Sequence, residues 1–126
     1  MDNLIKDGNK QHPQIDFNAQ TGQLEISGRS IPENSYDFYN PLLQWLEQYQ
    51  DQPQKETQLK IYLEYFNTSS SKYILEVLKK LKEIEKSGSA VTIAWHFDMD
   101  DEEMMETGED YEDITGLNFN FIEEEE

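Results

Sequence analysis

The chain predicts an α/β fold built on one mixed sheet, and three segments carry that prediction. "LKIYLEYF" (Leu59 to Phe66) alternates strictly. Leu59, Ile61, Leu63 and Tyr65 fall on one face, and Lys60, Tyr62, Glu64 and Phe66 on the other, which is the period of a β-strand. "SKYILEVLKKLKEIEKSG" sets Ile74, Leu75, Val77, Leu78, Leu81 and Ile84 at helical spacing, with Gly88 as a helix-ending residue. "AVTIAWHF" is short and mostly apolar, as a central strand is. Strand, helix and strand over 59–66, 69–87 and 90–97 make a βαβ crossover, which sets the two strands parallel.

The other elements follow in order. Residues 1–14 are polar and irregular and read as a flexible N-terminal arm. "QIDFNAQTGQLEISGRS" alternates at Ile15 and Phe17, turns through "NAQTG" and alternates again at Leu24 and Ile26, predicting a β-hairpin at the sheet edge. In "IPENSYDFYNPLLQWLEQYQ", Asn34 with Asp37 could open a helix, but Pro41 would then sit inside it and remove a hydrogen bond. Asn40 as cap with Pro41 in the first helical position is the better local fit. The expectation is therefore a short helical turn over Ser35 to Tyr39 and a main helix from Pro41 to about Tyr49. "DMDDEEMMETGEDYEDI" has helical character weakened by Gly108, and "GLNFNFI" alternates as a last strand. The order is β-β-α-β-α-β-α-β: about five strands with helices mainly on one face. The expected domain spans 15–122, followed by an acidic tail over 123–126.

Composition narrows the function. A chain of 126 residues is one domain by default. With 27 acidic and 10 basic side chains the formal charge is −17, the wrong sign for a sequence-independent nucleic-acid binder. Residues 98–126 hold fourteen carboxylates and no Lys or Arg, which fits either simple solubility or a surface that steers a basic partner. There is no apolar run of membrane-spanning length and no signal segment, so membrane insertion is not expected. Cysteine is absent, which fits a cytoplasmic protein. No nucleophile–base pair, glycine-rich phosphate loop or zinc spacing stands out. The chain thus reads as a non-enzyme without a cofactor.

One junction is unusual. Between strand and helix stand Asn67, Thr68, Ser69, Ser70 and Ser71, five capping candidates where a helix needs one. The junction lies at the carboxyl end of a parallel strand, where sheets of this kind meet ligands and partners. Thr68 or Ser69 as a cap would stabilise the helix by about 1 kcal/mol, leaving the neighbours as ordinary loop residues. Alternatively a hydroxyl here is a phosphoacceptor, because unpaired N–H groups and the helix dipole accommodate an added dianion. Glu33 and Asn34 in "PENS" fit either a turn and a cap or the lining of a pocket around Thr68.

The segment "YFNTSSSK", with "IPENSYDFYNPLLQWLEQY" before it and "VTIAWHFDMDDEEMMETGEDY" after it, closely resembles the SiaC family of bacterial regulatory phosphoproteins, over about Ile15 to Phe121. The resemblance implies a single domain like the STAS domain of anti-anti-sigma factors. It implies control by a cognate protein kinase and a PP2C-type phosphatase. It also implies that the unphosphorylated form activates a diguanylate cyclase, in cyclic-di-GMP signalling and biofilm regulation. The family's phosphothreonine falls on Thr68.

Two rival functions remain on the sequence. One is an anti-anti-sigma-type protein that binds an anti-sigma kinase. The other is a small acidic enzyme using the 98–113 carboxylates with a divalent metal. "DMDDEE" does not keep calcium-loop spacing, since Glu103 stands where a glycine is needed, so a solvated acidic helix start is the simpler reading. His96 has no second histidine to make a ligand pair and reads as structural.

Overall fold

The computed structural model describes residues 1–125. Six strands and three helices form the domain: β1 (Leu4–Lys6), β2 (Gln14–Phe17), β3 (Gln23–Ser30), α1 (Ser35–Tyr49), β4 (Glu56–Phe66), α2 (Thr68–Lys86), β5 (Ala90–Asp98), α3 (Glu102–Thr115) and β6 (Asn118–Glu124). The strands lie side by side in chain order. β1, β2 and β3 pair antiparallel, and β3 through β6 pair parallel. Each parallel step adds a strand on the same side, so right-handed crossovers put every helix on one face. That face holds the core: Ile26, Leu59, Ile61, Ile93 and Trp95 of the sheet meet Leu42, Leu46, Ile74, Val77, Leu78 and Leu81 of the helices, all buried. The opposite face carries Asp16, Glu25, Lys60, Tyr62 and His96 and is open. The parallel pairing of 59–66 with 90–97 and the helix between them are as the crossover pattern predicts.

The structure corrects five expectations. The sheet has six strands rather than about five, because the supposed N-terminal arm contributes β1. Leu4–Lys6 is too short to show a period, yet it pairs with β2. Its approach is fixed by the Asp2 carbonyl accepting from Trp45 Nε1 (2.9 Å) and Asn3 Oδ1 accepting from the Ala19 N–H (2.9 Å). The β2–β3 hairpin is therefore inside the sheet edge, not on it.

The helix expected to break at Asn40 runs unbroken from Ser35 to Tyr49, with Pro41 inside and Asn34 as its cap. Pro41 deprives the Asp37 carbonyl of its donor, but Asp37 is exposed, so water can take that place. Continuity sets Phe38, Tyr39, Leu42, Trp45, Leu46 and Tyr49 on one buried face, and that burial outweighs one lost bond.

The cap of α2 is Asn67 rather than Thr68 or Ser69. The acidic tail also begins later than expected. Glu123 and Glu124 belong to β6 opposite Phe97 and Asp98, and Glu126 lies outside the described residues.

Gly108 turns out to be a packing residue. A Cβ there would lie 2.6 Å from Trp95 Nε1 and 2.8 Å from Phe121. Its absence lets α3 close on β5, where Trp95 Nε1 donates to the Met104 carbonyl (2.9 Å).

Candidate functional site

The parallel strands β3, β4 and β5 end on the same side of the molecule, and α1, α2 and α3 begin there. The five residues at the head of α2 divide their duties. Asn67 is the cap: its Oδ1 accepts from the Ser70 N–H (2.9 Å) and its own N–H donates to the Ser30 carbonyl (3.1 Å). Ser70 is fully buried and donates to the same carbonyl (3.0 Å). Ser30 Oγ donates to Ser70 Oγ (2.9 Å). Each serine has one proton and both are committed, so the 2.6 Å contact between Tyr39 OH and Ser30 Oγ has Tyr39 as donor. Burial pushes the Tyr39 phenol up to about 12, against the lowering effect of its serine partners.

A second tier lies nearer solvent. Ser69 Oγ donates to Asn67 Oδ1 (3.2 Å), so its 2.6 Å contact with Ser35 Oγ has Ser35 as donor. Ser71 Oγ donates to the Thr68 carbonyl (2.7 Å), and the Ser71 carbonyl accepts from Tyr111 OH of α3 (2.9 Å). Tyr111 too is pushed up to about 12, first by burial and then by the Tyr39 charge.

Thr68 is the remainder. It occupies the first position of α2 and is exposed, and its hydroxyl makes no hydrogen bond among the described residues. The first turns of α1 and α3 carry Asp37 and Glu102–Glu103 respectively. The first turn of α2 carries no acidic residue, so the positive end of its dipole is left uncompensated. Lys72, one turn further on, is exposed, with its ammonium 5.6 Å from the Tyr73 ring centre. Tyr36, Tyr65 and Met99 are exposed large side chains at this end of the molecule.

The residues singled out from sequence are only partly brought together. Asn67 to Ser71 form one structure. Asn34 caps α1 by accepting from the Asp37 N–H (3.1 Å), and Glu33 is exposed. Those two line a cleft with Lys6, His12 and Phe38, and among the described residues neither hydrogen-bonds to Asn67–Ser71. The link from "PENS" to "NTSS" is made instead by Ser35, which sequence reasoning passed over together with Ser30, Tyr39 and Tyr111. The adjacency of Ser35 to Asn34 was the available signal. The three others had none: Ser30 and Tyr111 meet partners 40 residues away, and Tyr39 lies within an apolar helix face.

The acidic segment is also accounted for. Asp101 caps α3 by accepting from the Met104 N–H (3.0 Å), and Asp98 accepts from Tyr62 OH. His96 stacks on Tyr62 and bonds the Glu124 carboxylate. Among the described residues no three His, Asp or Glu side chains converge as metal ligands.

Comparison with known proteins agrees with this arrangement. The family model described as SiaC family regulatory phosphoprotein matches residues 6–124. A curated relative, an uncharacterised protein of Pseudomonas aeruginosa strain UCBPP-PA14, is 32% identical over 119 residues, 94% of each chain. Among solved structures, SiaC of Pseudomonas aeruginosa in complex with the diguanylate cyclase SiaD, which it activates, superposes with a TM-score of 0.89 at 30% identity, covering 96% of this chain and 99% of that one. Apo-SiaC from the same organism gives a TM-score of 0.87 at 30% identity, with 97% and 99% covered. A family match over nearly the whole chain and a shared fold leave one conclusion: the protein belongs to the SiaC family of regulatory phosphoproteins.

Proposed function

We propose that this protein is a non-catalytic switch: unphosphorylated it binds and activates a diguanylate cyclase, and a phosphate on Thr68 releases that partner. The observation that carries the reading is the state of Thr68. It is exposed and its hydroxyl is unengaged, at a helix N-terminus with no carboxylate of its own. A phosphate there adds about −1.5 to −2 charges where the backbone N–H groups can accommodate it, so the domain stays folded. The likeness to a SiaC chain seated on its cyclase supports the class of partner. A cognate kinase and a PP2C-type phosphatase, acting in the cytoplasm, would set the phosphorylation level.

The surface supports that sign. Tyr36, Tyr65 and Met99 offer apolar contact around small neutral hydroxyls. A partner fitted to that surface meets a desolvated dianion after phosphorylation, whereas an arginine cluster would gain from it. The test is a titration of the host's diguanylate cyclase with three forms: unphosphorylated protein, phosphoprotein and Thr68→Glu. Thr68→Glu should weaken binding at least about tenfold, roughly 1.4 kcal/mol, and the phosphoprotein more. Tighter binding by the phosphoprotein overturns the sign. No binding to the cyclase, with binding to an anti-sigma kinase instead, replaces the partner.

A further inference from the structure

Four hydroxyls stand in a row at the head of α2, and the fold treats each differently. We propose that Ser35 is the residue that confines phosphorylation to Thr68, by locking the neighbouring Ser69 out of use as an acceptor; this rests on the reading of Thr68 as the phosphoacceptor.

The argument is one of lone pairs and protons. In phosphoryl transfer the acceptor oxygen forms a bond to the γ-phosphorus of a nucleoside triphosphate. The bond from that phosphorus to the diphosphate oxygen breaks, and the hydroxyl proton passes to a base on the kinase. The acceptor must therefore turn a lone pair toward phosphorus and give up its proton. Ser69 has its proton and one of its two lone pairs already engaged. The proton is donated to Asn67 Oδ1 (3.2 Å), and the oxygen accepts from the Ser35 hydroxyl (2.6 Å). Ser70 is fully buried, and Ser71 is tied to the Thr68 carbonyl. Thr68 has no such bond, so selectivity is built into the substrate.

Ser35 is the point at which this lock can be opened without dismantling the turn. Asn67 caps α2 and Ser70 fills the core, so altering either disturbs the helix itself. Ser35 is the first residue of α1, whose cap is Asn34, and its hydroxyl serves Ser69. It is 6% exposed, so it acts from the α1 side without offering itself as an acceptor.

The experiment uses the full chain expressed in its own host. Trypsin cuts after Lys60 and Lys72, leaving all four hydroxyls on one peptide, Ile61 to Lys72, in which fragmentation mass spectrometry assigns the phosphate. Wild type should carry phosphate on Thr68 alone. Ser35→Ala should place a clear share on Ser69, at least roughly a tenth of the phosphorylated peptide, since each hydrogen bond removed changes access by about two- to tenfold. Thr68→Val should be unphosphorylated, and Thr68→Val with Ser35→Ala should be phosphorylated on Ser69. Ser35→Thr, which keeps the hydroxyl, should behave as wild type. If Ser35→Ala does not fold by circular dichroism, Ser35→Cys, a weak donor of similar size, takes its place. Phosphate on Thr68 with none on Ser69 in the Ser35 variant overturns the proposal and leaves the Thr68 switch standing. So does wild type with comparable phosphate on both. Wild type with no phosphate on Thr68 overturns both.

Discussion

At the amino ends of the parallel strands, Tyr49 of α1, Thr57 of β4 and Ser89 ahead of β5 form a closed ring of hydroxyls. At the carboxyl ends, Tyr39 of α1, Ser30 of β3 and Ser70 of α2 form a related chain, but with a second tier and a residue left over. Proton counting fixes the directions in the first. Ser89 donates to the Gln54 carbonyl (2.7 Å), so Thr57 donates to Ser89 (2.7 Å) and Tyr49 to Thr57 (2.8 Å). The Gln54 N–H then donates to Tyr49 OH (3.0 Å), returning the ring to its start. Every member has a partner, and Tyr49, Thr57 and Ser89 are buried. The carboxyl-end chain is as well satisfied in its buried part, but outside it lie Ser35, Ser69 and exposed Thr68. The same parts make a fastening at one end. At the other they make a fastening with an exposed, unengaged hydroxyl beside it.

The strongest way to break this comparison is to show that the closed ring also affects the proposed switch. Thr57→Val leaves the Tyr49 hydroxyl proton without an acceptor in the core, at a cost of about 2 kcal/mol. For a domain of this size that lowers Tm by roughly 6–10 °C. Phosphate occupancy of Thr68 at a temperature where the variant is folded should not change. A changed occupancy in the folded variant means that the two ends communicate through α1.

Alkaline pH should act on the other end. Tyr39 and Tyr111, both bonded at the head of α2, are pushed up to about 12, in each case mainly by burial. Between pH 10 and 12 the unfolded chain loses those protons and the folded one keeps them, so stability falls as pH rises through that window. Tyr39 alone accounts for a loss of about 1 kcal/mol by pH 11. Denaturant titrations at pH 9 and 11 should show a smaller drop for Tyr39→Phe than for wild type. Equal drops would mean that the Tyr39 phenol is not held neutral by its surroundings.

Much of the fold was legible because burial writes a period into the sequence. β4, α2 and β5 declare themselves through Leu59–Ile61–Leu63, Ile74–Val77–Leu78–Leu81 and the apolar run at Val91. What escaped was decided by contacts that carry no local pattern. β1 is three residues held by a hydrogen bond from Trp45, more than forty positions away in the chain. Pro41 looked like a helix boundary because local chemistry says so, and the buried face from Phe38 to Tyr49 overrode it. At the site, the cluster itself was visible but its wiring was not. Which of five polar residues caps, which is buried and which is spare depends on Ser30, Ser35 and Tyr39, reached only through the fold.

Asn67 is where the two tiers of the carboxyl end join, and its removal should have an intermediate effect. Asn67→Ala deletes the α2 cap and should cost about 1 kcal/mol in denaturant unfolding. A cost below about 0.3 kcal/mol would show that Ser69 or Thr68 takes over the cap, and that the division of duties at the head of α2 is not fixed.

The smallest effect is expected from Thr68, and it sharpens the comparison most. The two ends provide a matched pair of threonines. Thr57 is buried, with both its donor and its acceptor capacity engaged; Thr68 is exposed, with its hydroxyl bonded to nothing among the described residues. Thr68→Ala keeps the cap, since that is Asn67, and replaces a β-branched residue in the first helical turn by the best helix former. Its stability should lie within about 0.5 kcal/mol of wild type, the range of surface substitutions that touch no special feature. The same variant should lose phosphorylation entirely and keep its partner. If Thr68→Ala instead costs more than about 1 kcal/mol, the hydroxyl has a structural bond in solution. Thr68 would then be part of the fastening rather than the group left free of it.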